Sequence, residues 1–159
     1  MKLSDLKYYW LFFLLLVVIA GCDQNKVFEE YKKFDKLSWN RFNYLEFEVL
    51  VEDTESEFDV YVSLRHLPEF FHNKLPINLT IYSPTGEMRT ADHMLELSDA
   101  DGNSISKCVG DFCDVSLLVR KQIKFSEPGV YNFRIENKWK KVELPGIMEV
   151  GLLIKKSNE

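Results

Sequence analysis

From Leu45 onward apolar residues recur at every second position, and this alternation constrains the fold more than any other property of the chain. Leu45, Phe47, Val49 and Val51 alternate with Tyr44, Glu46, Glu48 and Leu50. Phe58, Val60, Val62 and Leu64 alternate with Asp59, Tyr61, Ser63 and Arg65. The same period runs through Ile77, Leu79 and Ile81, and through Tyr131, Phe133 and Ile135. In a strand successive side chains point to opposite faces, so each run predicts one buried and one wet face. Further strands are expected at residues 92–97, 115–125 and 149–155. Ser83-Pro84-Thr85-Gly86, Asp99 to Asn103 and Ser126-Glu127-Pro128-Gly129 supply turn chemistry between them. Seven or eight such strands predict an all-β antiparallel sandwich, of Ig-like or jelly-roll type, over residues 39–159. The aromatic content of 14% suits a core in which large rings fill the space between two sheets.

The N-terminus follows a different grammar. Lys2 and Lys7 precede an apolar run, Tyr8 to Ala20, which covers 13 residues. At about 1.5 Å per residue such a run is too short for a hydrocarbon core of about 30 Å. It ends in Val17-Val18-Ile19-Ala20-Gly21-Cys22, an aliphatic residue and two small ones before a cysteine. That order predicts a lipoprotein signal peptide over residues 1–21, with Cys22 as the lipid attachment site and first residue after cleavage. A diacylglyceryl thioether and an acylated amine there would give a stable anchor, as one chain alone would not. The membrane, reached through this lipid, is the first expected partner.

Cleavage leaves 138 of the 159 residues, enough for one domain with a proper core. Lys2, Lys7 and Asp5 leave with the signal, moving the formal charge from −5 to −6. An acidic balance argues against nucleic acid, which calls for a basic face. Residues 22–38 read as the lipidated N-terminus and a tether. Val27, Tyr31 and Phe34 fall at helical spacing, so the alternative there is a short amphipathic turn.

With Cys22 given to lipid, Cys108 and Cys113 remain as a pair in an oxidising compartment. A disulfide between them would close a small loop and stabilise the fold by about 2 kcal/mol; two separate thiols are the alternative. Four intervening residues do not fit a thioredoxin-like site, and no second pair is present for zinc. His66 and His72 lie in an expected loop, residues 65–76, with Phe70 and Phe71. Phe70, Phe71 and Trp139 form the candidate partner-contact surface; the preferred reading of the loop packs its rings under the sandwich. Asp92 and His93 are neighbours on an expected strand, so they face opposite ways and cannot act as a catalytic pair. Asp99-Ala100-Asp101-Gly102-Asn103 resembles a calcium loop, but the position that needs Glu is Cys108. No catalytic residue, cofactor site or metal site is expected.

Leu64-Arg65, Asn78-Leu79, Ser83-Pro84-Thr85-Gly86, Asp92 and Asp101-Gly102 come in a recognisable order. FSEPGVYNF from Phe125 to Phe133 and LPGIMEVGLLI from Leu144 to Ile154 complete it. This set resembles the gliding-motility-associated lipoprotein H family (GldH-like) of Bacteroidota, over residues 39–155 and with the lipidated cysteine. Ser104, Ile105, Lys107 and Cys108 stand where that family usually carries Trp and Gly, and Trp139-Lys140 where it often has Met-Arg. The resemblance implies a non-catalytic envelope lipoprotein, at the periplasmic side of the outer membrane, that contacts proteins of the gliding and secretion machinery. The alternative is a surface lipoprotein that binds carbohydrate or peptide through Phe70, Phe71 or Trp139.

Overall fold

Eleven strands make up the fold in a computed structural model that describes residues 25–158. The expected signal segment and Cys22 lie outside the described residues. The strands are β1 (Lys26–Lys33), β2 (Ser38–Asn40), β3 (Leu45–Val51), β4 (Phe58–His66), β5 (Lys74–Tyr82) and β6 (Met88–Glu96). They continue as β7 (Lys107–Val109), β8 (Phe112–Ile123), β9 (Gly129–Asn137), β10 (Glu143–Pro145) and β11 (Ile147–Lys156). One sheet runs β1-β11-β4-β8-β7 and the other β3-β9-β5-β6, while β2 and β10 pair as a small flap. All pairs are antiparallel. The protein is therefore an all-β sandwich. Counting only the eight long strands, the sheets read 1-8-3-6 and 2-7-4-5. That is the jelly-roll order, with the chain crossing between sheets at most connections, and it decides between the two sandwich types expected.

The alternating residues meet in the middle. Phe47, Val49, Phe133 and Ile135 of one sheet face Val60, Val62, Val150, Leu152 and Ile154 of the other, all buried. Trp39 of the flap closes one end of this core; its Nε1–H donates to the Asn43 carbonyl at 3.0 Å. Asn137, also buried, donates through Nδ2 to the Trp39 carbonyl at 2.9 Å, tying flap to sheet. A buried amide left without such a partner would be costly, and here it is satisfied.

One expectation is overturned. Residues 26–33 are neither tether nor helical turn: β1 is an edge strand paired with β11 from Lys26↔Lys155 to Lys33↔Glu149. Its inward row is Phe28, Glu30 and Lys32, half-buried, with Glu30 and Lys32 paired to one another. Inward-pointing charges of this kind keep an edge strand from pairing further. The sandwich therefore begins at Lys26 rather than residue 39, and three residues separate Cys22 from it.

The sandwich has two unlike ends. Three short connections, residues 52–57, 83–87 and 124–128, lie at the end where β1 starts and β11 finishes. Four longer connections gather at the other: residues 34–44, 67–73, 97–111 and 138–146. Flap and β7 belong to these longer connections.

Candidate functional site

The expected contact residues converge on the loop-rich end. β4 continues to His66, so the connection to β5 is shorter than the sequence suggested and consists of residues 67–73. Leu67 N–H donates to the Gly146 carbonyl at 2.8 Å, and Phe70 N–H to the Leu67 carbonyl at 3.0 Å. This turn sends neighbouring phenylalanines opposite ways. Phe70 is 9% exposed, whereas Phe71 is 85% exposed. The Phe70 ring presses on Gly146, where φ is +91° and a Cβ would stand 3.2 Å from Phe70 Cδ2. The candidate contact role of Phe70 is therefore corrected in favour of the packed reading: its ring belongs to the core. It also begins an aromatic row, with His66 at 5.2 Å, His72 at 4.7 Å and Trp139 at 4.6 Å from His72. Trp139 is half-buried against the core, and its N–H donates to Asn137 Oδ1 at 2.7 Å. Of the three expected residues, Phe71 is the one presented to solvent.

His66 is buried and fully bonded. A carbonyl can only accept, so Nδ1–H donates to Leu67 O at 2.8 Å and Nε2 accepts from Ser106 O–H at 2.8 Å. A hydroxyl on an imidazole is the geometry of a hydrolytic nucleophile and base. Here the third group is a carbonyl rather than a carboxylate, so nothing anionic stabilises an imidazolium. The bond instead latches residues 97–106 onto the end of β4. Cys108 and Cys113 lie opposite one another in the β7–β8 hairpin and are joined by a disulfide. Together these features enclose a cleft of about 160 Å³ lined by His66, Phe70, Phe71, Leu97, Ser104 and Cys113.

A larger groove, about 540 Å³, lies beside it on the outer face of the five-stranded sheet. The register puts Tyr31, Gly151, Ser63 and Ser116 in one row across four strands. A Cβ on Gly151 would come within 2.6 Å of Tyr31 Cδ1 and Cε1, so glycine is what lets that ring lie across the sheet. Burial pushes the Tyr31 phenol upward. Ser63 and Ser116 hydroxyls meet at 3.0 Å on the floor. The next row alternates in sign: Lys33, Glu149, Arg65, Asp114, Lys107. Asp114 grips Arg65 with two bonds, Nε to Oδ1 at 2.8 Å and Nη2 to Oδ2 at 3.0 Å, and the Phe112 ring lies 4.4 Å from the guanidinium carbon. Ile105 and Val109 form the far lip. Sequence reasoning missed this groove. Its one visible signal was Gly151 inside an apolar strand, the mark of a close approach.

The remaining expected features sit apart. Asp92 points outward and bonds Asn78 Nδ2 at 2.8 Å. His93 faces inward, where burial and the nearby Arg120 keep its imidazole less basic than usual. Asp99 accepts from the Asp101 and Asn103 N–H groups at 3.0 and 2.8 Å, holding its own turn, and these bonds lower its carboxyl. Among the described residues no group of His, Cys, Asp or Glu converges to hold a metal ion.

Comparison with known proteins adds to this geometry. Residues 26–154 match the family described as GldH lipoprotein. The chain is 23% identical over 156 residues to the gliding motility lipoprotein GldH homolog of Christiangramia forsetii, covering 94% of this chain and 95% of that protein. It is 24% identical over 152 residues to the gliding motility lipoprotein GldH of Flavobacterium johnsoniae, covering 91% and 94%. No solved structure matches.

Proposed function

The chain belongs to the GldH lipoprotein family, and from that premise we propose that it is a lipid-anchored, non-catalytic protein of the cell envelope. Lipid on Cys22 holds it at the periplasmic side of the outer membrane. There it assists the gliding and secretion machinery by touching other envelope proteins. One observation carries this reading. Three residues separate Cys22 from the domain, and its far end exposes Phe71 at 85% beside a cleft whose histidine is already bonded at both nitrogens. Anchoring confines the domain near other membrane proteins and raises its effective concentration with no new contact. Cys22→Ala is expected to move the folded domain from the membrane to the soluble fraction and to abolish complementation of a deletion strain. A folded soluble variant that fully restores motility overturns the reading. Ser106→Ala removes the hydroxyl on His66 and is expected to leave complementation intact; loss of function in a membrane-bound, folded Ser106→Ala protein would instead point to chemistry.

The groove favours a second reading, a site for sugar or peptide. The Tyr31 ring, the Ser63–Ser116 hydroxyls and Asp114 combine an aromatic surface with polar groups, as such ligands require. Tyr31→Ala would then abolish binding on a glycan or peptide array to which the intact protein binds; an array with no hits rejects this reading.

A further inference from the structure

We propose that the loop-rich end points away from the membrane and docks on an acidic surface of a neighbouring envelope protein, an inference that rests on lipid attachment at Cys22. Asn25 is fixed at the opposite end: its carbonyl accepts from Lys156 N–H at 2.8 Å, and its Nδ2 donates to Asn158 Oδ1 at 2.9 Å. From Cys22 to Asn25 an extended chain reaches roughly 11 Å. β1 carries the chain about 26 Å from there to the loop-rich end. The tether is shorter than the sandwich is tall. A sandwich standing upright on this tether therefore holds the end bearing residues 67–73 and 138–146 away from the bilayer that carries the lipid.

That end has the surface of a docking site. Phe71, Phe42 and Val142 are 85%, 69% and 58% exposed. Arg41 N–H donates to the Val142 carbonyl at 2.7 Å, which sets Phe42 and Val142 on adjoining segments. His72, next to Phe71, packs on Trp139 at the start of the second segment. The two adjoining segments, residues 34–44 and 138–146, are basic, with Lys36, Arg41, Lys138, Lys140 and Lys141 against Asp35 and Glu143, while the 67–73 and 97–111 connections beside them add Glu69, Asp99, Asp101 and Asp111 against Lys107. In a chain of net charge −5 the two basic segments are a local reversal of sign. Basic and aromatic side chains together suit either an anionic lipid surface or an acidic protein. In the upright orientation the anchor's position sets this end away from the lipid surface. A second copy of this chain would bring like charges together across a two-fold axis. An acidic, partly apolar protein surface is the occupant that remains.

Two measurements on the acylated full chain test this. In the first, the protein sits in vesicles of phosphatidylethanolamine and phosphatidylglycerol with a fluorophore at Phe71→Cys or at Thr85→Cys, and spin-labelled lipid is the quencher. Quenching is expected for the Thr85→Cys label and not for the Phe71→Cys label; equal quenching overturns the proposed orientation. In the second, a photo-crosslinking residue replaces Phe42 in living cells, with and without K138E/K140E/K141E. The charge reversal is expected to cut the crosslinked protein product by roughly tenfold or more and to impair motility, with the membrane-bound amount unchanged. Crosslinks to phospholipid, crosslinks to a second copy, or a product indifferent to the reversal overturn it. If Cys22→Ala stays on the vesicles, the lipid reading has failed, and that result is separable from either failure of the docking surface.

Discussion

The two ends of the sandwich solve the same problem, closing a core between sheets, by different means. The end where β1 begins relies on tight turns, held by glycine geometry and local caps. Gly86, at φ +90°, donates to Ser83 O at 3.0 Å, and Gly129 takes φ +140° against the Pro84 ring. Asp53 caps its turn through the Glu55 and Ser56 N–H groups, both at 3.0 Å. The Tyr131 hydroxyl donates to the Glu127 carbonyl at 3.1 Å, a corner of the kind that sandwich folds use. The loop-rich end relies chiefly on side chains: the Trp39 indole, the Asn137 amide, the Phe70 ring, the His66–Ser106 bond and the disulfide. Long connections need such anchors because their backbone has fewer regular partners. The same anchors free Phe71 and Phe42 to project outward.

Trp39→Ala should strike this contrast hardest. It empties a fully buried site beneath the flap, and about 3–5 kcal/mol of stability should vanish, read as the shift in a urea midpoint. An effect below about 1 kcal/mol would mean the flap is not an anchor. Replacing Cys108 and Cys113 together by serine should cost about 2 kcal/mol. Amide exchange in residues 105–113 should rise well above that in residues 83–87, and uniform exchange at both ends would break the comparison. At the opposite end, Gly129→Ala is the sharper probe. A Cβ there would lie 2.6 Å from Pro84 Cγ in a backbone conformation L-residues avoid, so about 1–2 kcal/mol should be lost. Pro84→Ala should recover the steric part and leave the conformational part.

The smallest effect is a pH dependence. Burial, helped by Lys141, holds His72 below the usual histidine range, and burial with Arg120 does the same to His93. The unfolded chain then binds more protons than the folded one just below the ordinary histidine pKa of about 6.5. Stability is full above that value and declines as pH falls through it. His72→Gln should flatten part of this decline, on top of a pH-independent loss from its ring contacts with Phe70 and Trp139, as thermal unfolding at several pH values would show.

Strands β3, β4, β5 and β9 were legible because an apolar row runs through each, as from Leu45 to Val51 and from Phe58 to Leu64. β1 was hidden because its inward row is Phe28, Glu30 and Lys32, a mixed set, while Val27, Tyr31 and Phe34 happen to repeat like a helix. The three-residue strands β2, β7 and β10 are too short for any period to show. The site was legible in part. The loop bearing Phe71 stood out by composition, but which of two adjacent rings turns inward depends on Gly146, distant in sequence. The Arg65 clamp joins residues 49 positions apart through strand register, which local pattern does not encode.

β1 also has a mechanical meaning. It runs alongside β11 with its hydrogen bonds across the strand axis. With lipid holding Cys22 and a partner gripping the far loops, a pull between them runs along β1 and loads those bonds in parallel, as shear. Pulling from the lipid end against the C-terminus would instead peel β1 away bond by bond, since Lys26 and Lys155 are neighbours. Single-molecule extension along these two directions should therefore show a higher rupture force for the first, and equal forces would remove this reading. The expected direction of traction is the one in which the edge strand holds best.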